Sequence, residues 1–149
     1  MCIRDRHTIV NEACQALESV SAAEILDEAL KNLYDGVSAS EVNTSLVMTA
    51  RTMVEKDPNY SYVTARLLLD NIRAEALNFL AVTPSATQAD MQHLYSKALV
   101  AYIEKGIEFE LLSPELAQFD LQRLGQALDA NRDLQFTYLG LQTHQKLQL

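Results

Sequence analysis

Residues 56–80 read "KDPNYSYVTARLLLDNIRAEALNFL", and the fold turns on how this stretch is read. Asp57-Pro58 stops whatever helix precedes it, because the residue before a proline is pushed out of the α region. Beyond the stop, Val63, Leu67 and Leu68 recur at helical spacing on one side, and Leu69, Ile72, Ala76 and Phe79 on another. The pattern predicts a helix from about 59 to 80 that is apolar on more than one face. Such a helix belongs at the centre, with others packed around it. Yet it also carries Tyr60, Tyr62, Arg66, Asp70, Asn71 and Arg73. Arg66 and Asp70 stand at i,i+4, a spacing that offers an ion pair worth about 0.3 kcal/mol.

Working outward, every segment reads as helical. Ile9, Val10, Ala13, Cys14 and Leu17 form a stripe from about 7 to 19. Ser21 and Glu24 have the capping-box spacing and precede the stripe of Ala22, Ile25, Leu26, Ala29, Leu30 and Leu33, which "YDG" at 34–36 should end. Ser38 and Glu41 repeat the capping spacing ahead of Val42, Leu46, Val47, Ala50, Met53 and Val54. C-terminal to the central helix, "VTPSATQAD" is a loop leading into a cap. Met91, Leu94, Tyr95, Ala98, Leu99, Tyr102 and Ile103 carry a helix that should stop at Gly106. Ser113-Pro114-Glu115 is a further start signal, and a last helix begins near Asp133. No segment alternates as a strand would. The expectation is an all-α multi-helix bundle, joined by short connections between packed neighbours.

The formal net charge is −8. A nucleic-acid binder presents a basic face, so this balance argues against that role. No apolar run approaches the length of a membrane span and no secretory leader is legible, so no membrane partner and a cytoplasmic setting are expected. Cys2 and Cys14 are too few for a disulfide framework or a cysteine metal site, and His7, His93 and His144 show no ligand spacing. There is no glycine-rich phosphate loop and no G-x-S-x-G elbow. The residues themselves point to no catalytic site and no metal site. Cys14 lies in an apolar stripe and reads as core packing. The opening "MCIRDR" looks like a translated sequencing-library adapter, which sets residues 1–6 apart from the fold.

Three stretches, "LYDGVSASEV", "DPNYSYVTARLLLDNIRAEAL" and "NRDLQFTYLGLQT", together resemble the N-terminal part of the large subunits of class I ribonucleoside-diphosphate reductases. Residues 7–80 resemble the helical part of the family's ATP-cone, the module that senses ATP and dATP. Residues 81–149 resemble the helical segment leading to the catalytic barrel, with the closing "HQKLQL" departing from the family. The resemblance implies an intact parent that reduces ribonucleotides to deoxyribonucleotides. A radical-supplying small subunit and a second large subunit would be its partners, with ATP and dATP as effectors. It implies no cofactor in this chain, whose sequence carries none of the family's catalytic cysteines.

The family's cone holds triphosphate with a basic hairpin ahead of its first helix, and the resemblance begins at His7, already in that helix. A Thr and a Lys that help hold nucleotide in the family correspond to Ala39 and Ala74 here. Asn43 and Asn71 fall where the family looks toward the nucleotide. Ser38 and Ser40 lie at a helix N-terminus, where free N–H groups and the dipole suit phosphate, although Glu41 competes for the same positive end. Between His7 and Leu80 there are five Lys and Arg against eleven Asp and Glu, a poor setting for a polyanion. These four residues are therefore expected to be a vestigial nucleotide site, with the central helix as one wall of it. The competing expectation is a freestanding helical regulatory or interaction protein built on an ATP-cone. A transcriptional regulator of that type would need zinc-binding cysteines, and the sequence has none to offer.

Overall fold

The structure, a computed structural model, describes residues 3–147. Of the adapter-like opening, residues 1 and 2 lie outside the described residues, as do 148 and 149 of the divergent end. Among the described residues there are seven α-helices, α1 (Ile3–Cys14), α2 (Ala22–Leu30), α3 (Ala39–Thr52), α4 (Tyr60–Phe79), α5 (Met91–Glu108), α6 (Leu121–Gln126) and α7 (Tyr138–Leu147). Three 3₁₀ segments, Met53–Glu55, Pro114–Gln118 and Ala130–Gln135, lie between them, and no strand is present. The all-α expectation holds. The chain divides into two compact units, one made of residues up to Asn71 and from Asp133 onward, the other of Ile72–Arg132. Both boundaries cut through helical segments, the first through α4.

The first unit has the larger core. Val10 and Ala13 of α1 meet Ile25, Leu26 and Ala29 of α2, Val42, Leu46, Val47 and Ala50 of α3, and Tyr60, Val63 and Leu67 of α4. Each set recurs at three- and four-residue steps, so each helix turns one stripe inward. Full burial of a residue such as Val63 or Ile25, both 0% exposed, stabilises by about 1.5–3 kcal/mol. Thr64 is also fully buried, and its hydroxyl is satisfied by donating to the Tyr60 carbonyl at 2.7 Å.

The two capping sites differ. At α3 both halves of the box form: Glu41 N–H donates to Ser38 Oγ at 3.2 Å, and Ser38 N–H donates to the Glu41 carboxylate at 2.9 Å. At α2, Glu24 N–H donates to Ser21 Oγ, but Ser21 N–H donates to the Tyr60 hydroxyl at 3.0 Å and the Glu24 carboxylate pairs with Lys56. A tertiary partner has replaced the local one.

Three sequence expectations shift. The first helix ends at Cys14 rather than near 19, and Ala16 and Ser19 then take positive φ of 59°. Gly106 does not end α5; it is buried in the last turn, and Glu110 supplies the left-handed residue with φ 58°. A Cβ built on Gly106 would lie 2.4 Å from Leu112 Cδ1, so the glycine makes room for the returning chain. The face of α4 carrying Leu69, Ile72, Ala76 and Phe79 is not a second buried face: the first two are half-buried, and Ala76 and Phe79 are exposed.

In the second unit Leu77, Met91 and Ala130 form the buried cluster, with Val82, Ala86, Leu94, Tyr95 and Ala98 partly buried against it. Arg73, 7% exposed, donates to Gln88 Oε1 at 2.5 Å. Gln88 donates in turn to the Ala130 carbonyl, whose N–H is taken by Gln92 Oε1. The polar chain ties the start of the last 3₁₀ segment to α5. At the α5–α6 crossing, a Cβ on Gly125 would fall 2.6 Å from Ser96 Cα, so the two helices approach through the bare glycine backbone.

Candidate functional site

The N-terminus of α3 is where the sequence places Ser38, Ser40 and Asn43. Ser38 is exposed and is the N-cap, Ser40 is exposed in the first turn, and Asn43 is half-buried on the next. Ser38 is fully engaged: its Oγ accepts from Glu41 N–H and donates to the Glu41 carboxylate at 2.8 Å. Those bonds hold the Glu41 carboxyl below its ordinary pKa, the Ser38 backbone N–H contributing most and the hydroxyl next. A carboxylate therefore already sits on the positive end of the helix, where an anion would otherwise be stabilised. The Ser40 carbonyl accepts from Thr44 Oγ1. Ala39 is exposed beside them. Asn71 is half-buried in the second half of α4, and Ala74 is half-buried further along that helix. The three α3 residues share adjoining turns by sequence, while Asn71 stands on a different helix.

The polar residues at the start of α4 have a clear task. Arg66 directs its guanidinium at main-chain carbonyls, those of Ala13 at 3.0 Å, Gln15 at 2.8 Å and Leu134 at 3.4 Å. The last turn of α1 leaves carbonyls without helical partners, and this cation satisfies that of Ala13. Asn59 donates to the Glu18 carbonyl at 3.0 Å, and the Tyr60 hydroxyl accepts from Ser21 N–H. Three side chains of one helix start thus hold the whole α1–α2 connection. Burial lowers the Arg66 pKa, with the Cys14 thiol opposing that shift. Burial raises Cys14 to about 11, against a smaller lowering by Arg66, so little thiolate forms near neutrality.

A groove of about 570 Å³ runs between α2 and α3, lined by Glu28, Asn32, Ser45, Met48, Thr49, Thr52, Met53 and Lys56. Sequence reasoning passed over it, although Ser45, Met48, Thr49 and Thr52 fall at the three- and four-residue steps of one helix face. Its polar groups are largely engaged with neighbours. Ser45 donates to Ala29, Thr52 to Thr49 and Asn32 to Glu28 carbonyls. Lys56 pairs with Glu24, which raises its pKa, and Glu28 pairs with Lys31 at 2.5 Å, which lowers its own. None of Ser38, Ser40, Asn43 or Asn71 lines it. Among the described residues no group of three metal-ligating side chains converges, and no helix is long and apolar enough to cross a membrane.

The geometry defines a helical module whose polar groups serve helix ends and connections. No protein-family model matches the chain. Individual relatives do match. The ribonucleoside-diphosphate reductase subunit alpha of Chlamydia muridarum is 40% identical over 126 residues, covering 84% of this chain and 12% of that protein. The ribonucleoside-diphosphate reductase 1 subunit alpha of Escherichia coli is 23% identical over 133 residues, covering 89% and 16%. The ribonucleoside-diphosphate reductase large subunit of Danio rerio is 28% identical over 138 residues, covering 90% and 16%. The chain is homologous to the N-terminal ~12–16% of ribonucleoside-diphosphate reductase alpha subunits. It spans only that small share of the relatives it matches.

Proposed function

We propose that the chain is the N-terminal regulatory part of a ribonucleoside-diphosphate reductase alpha subunit. Residues 7–80 are the helical part of an ATP-cone, and residues 81–149 lead toward the catalytic part. The observation that carries this is the match of 84–90% of the chain to one terminal stretch of alpha subunits from bacteria and a vertebrate. The parent reduces ribonucleotides to deoxyribonucleotides in the cytoplasm, with a radical-supplying small subunit and a second alpha subunit as partners. The region's part is to bias that activity through a coupling free energy between an ATP or dATP site and the rest of the enzyme. Ser38, Ser40, Asn43 and Asn71 are the remnants of its nucleotide contacts. Ala39 and Ala74, the Glu41 carboxylate on the α3 N-terminus and the acidic balance support a weakened grip.

The test joins this chain to the C. muridarum alpha subunit in place of its matching segment and assays reduction with the small subunit. The expected result is retained turnover with a response to ATP and dATP weaker than in the unmodified subunit. Ala39→Thr with Ala74→Lys should strengthen that response. A joined protein that makes no deoxyribonucleotide, beside an unmodified control that does, overturns the reading.

A further inference from the structure

Arg66 holds main chain from two distant parts of the sequence. Its Nη1 donates to the Ala13 and Gln15 carbonyls at 3.0 and 2.8 Å, and its Nη2 to the Leu134 carbonyl at 3.4 Å. Both segments belong to the first unit, which the chain leaves at Asn71 and re-enters at Asp133. Each depends on side chains from elsewhere. The α1–α2 link carries Ala16 and Ser19 at φ 59°, a region that residues with a Cβ enter at a cost. The turn into α7 is anchored from α3 and α4: Tyr138 N–H donates to Ser61 Oγ at 3.3 Å, and the Arg51 guanidinium lies 5.3 Å from the Tyr138 ring centroid. Arg66 itself is half-buried, and its Nε is buried with no hydrogen-bond partner among the described residues.

We propose that Arg66 is a two-sided clasp that makes the α1–α2 link and the 133–138 segment open together. A hydrogen bond from a charged donor is stronger than a neutral one, and a buried polar group left unmet costs its desolvation. When residues 133–138 lift away, Nη2 loses the Leu134 carbonyl and the fork is drawn toward water. Nη1 belongs to the same rigid plane, so its bonds to Ala13 and Gln15 go with it. The link then relaxes from its two left-handed residues. Cys14, half-buried in the last turn of α1, is uncovered. The reverse order couples equally, because a coupling free energy is reciprocal. Anything that binds preferentially with one end released would therefore release the other. The device ties the first helix of the chain to the segment leading into its last.

Thiol labelling of the full chain, read on the peptide that carries Cys14, tests this together with amide hydrogen exchange. Arg51→Ala with Ser61→Ala removes two anchors of Tyr138 and, since alanine is a good helix former, spares α3 and α4. That pair is expected to speed Cys14 labelling by about threefold through local opening. Arg66→Met keeps the stem and loses the fork, and should speed both Cys14 labelling and exchange of the 133–138 amides by about tenfold. In the Arg66→Met background the pair should add nothing further. A general loosening behaves otherwise: Leu46→Ala, in the core of the same unit, should speed labelling by the same factor with either residue at 66. Should Arg66→Met not fold, Arg66→Lys puts a point charge in place of the fork, and the effect of the pair should shrink in that background. A pair that leaves Cys14 labelling unchanged in the presence of Arg66 overturns the clasp. So does a pair that acts equally in both backgrounds, or an Arg66 variant with unaltered exchange over 133–138.

Discussion

Gly106 and Gly125 both lie inside helices, where glycine costs about 1 kcal/mol relative to alanine, yet their surroundings separate them. A Cβ at Gly125 would meet main chain, Ser96 Cα at 2.6 Å, with the Ser96 Cβ at 2.8 Å. A Cβ at Gly106 would meet the Leu112 side chain, Cδ1 at 2.4 Å and Cγ at 2.7 Å, which would have to shift, though a side chain gives more readily than main chain. Gly125→Ala is therefore expected to destabilise the 72–132 unit by about 1–3 kcal/mol, the usual cost of overpacking, while Gly106→Ala stays near neutral. Exchange of α5 amides in the two variants measures both, and equal costs would contradict the argument. Cys14 offers a second test. Its folded pKa of about 11 lies above the ordinary 9.0, so folding favours the thiol over the thiolate. The sign follows: this contribution is fully present below pH 9 and is lost as pH rises toward 11. At pH 8 the shift reduces the thiolate fraction, so labelling should run roughly a hundredfold slower than in the unfolded chain. Equal labelling rates in native and denatured protein would remove Cys14 from its half-buried place.

Among the elements, α4 resolves its own contradiction of apolar content and polar interruptions. Val63 and Leu67 go into the core, and Asn59, Tyr60 and Arg66 reach across to hold the α1–α2 connection. Tyr60→Phe keeps the packing but leaves Ser21 N–H without its partner, at a cost of about 1 kcal/mol. The half-buried Tyr62 has no comparable duty, so Tyr62→Phe serves as the near-neutral control in the same urea titration; matching losses in the two variants would refute the assignment. This element also shows what the sequence could and could not reveal. The Asp-Pro stop, the Ser38 capping box and the span of α4 are local signals, and all three are realised. The end of α1 was not legible, because no glycine marks it: Ala16 and Ser19 take positive φ within a link held by side chains some forty to fifty residues away. Gly106 misled for a related reason. Its use depends on where Leu112 returns, and spacing along the chain carries no such information. Of the candidate nucleotide residues, Asn43 and Asn71 came from family resemblance and Ser38 and Ser40 from their place at a helix start, whereas the α2–α3 groove needed the packed helices to become visible.

At the scale of the whole molecule, electrostatics bears most directly on ligand choice. A nucleoside triphosphate needs converging cations and N–H donors, and the chain carries a net charge of −8. At the start of α3 the Ser38 N–H already donates to Glu41, Lys56 pairs with Glu24, Lys31 with Glu28, and Arg66 spends its guanidinium on carbonyls. Acidic helices repel a polyanion over a Debye length of about 8–10 Å near physiological salt. Calorimetry with ATP or dATP on the chain alone should therefore show no isotherm at micromolar nucleotide. Placing a basic hairpin of the reductase type ahead of His7 should create measurable binding, and adding Ala74→Lys should tighten it by supplying the cation that position lacks. Higher salt should weaken the binding so created, since it rests on charge. A micromolar isotherm for the unmodified chain would mean that the helices suffice alone, and the charge argument against a polyanion site here would fail.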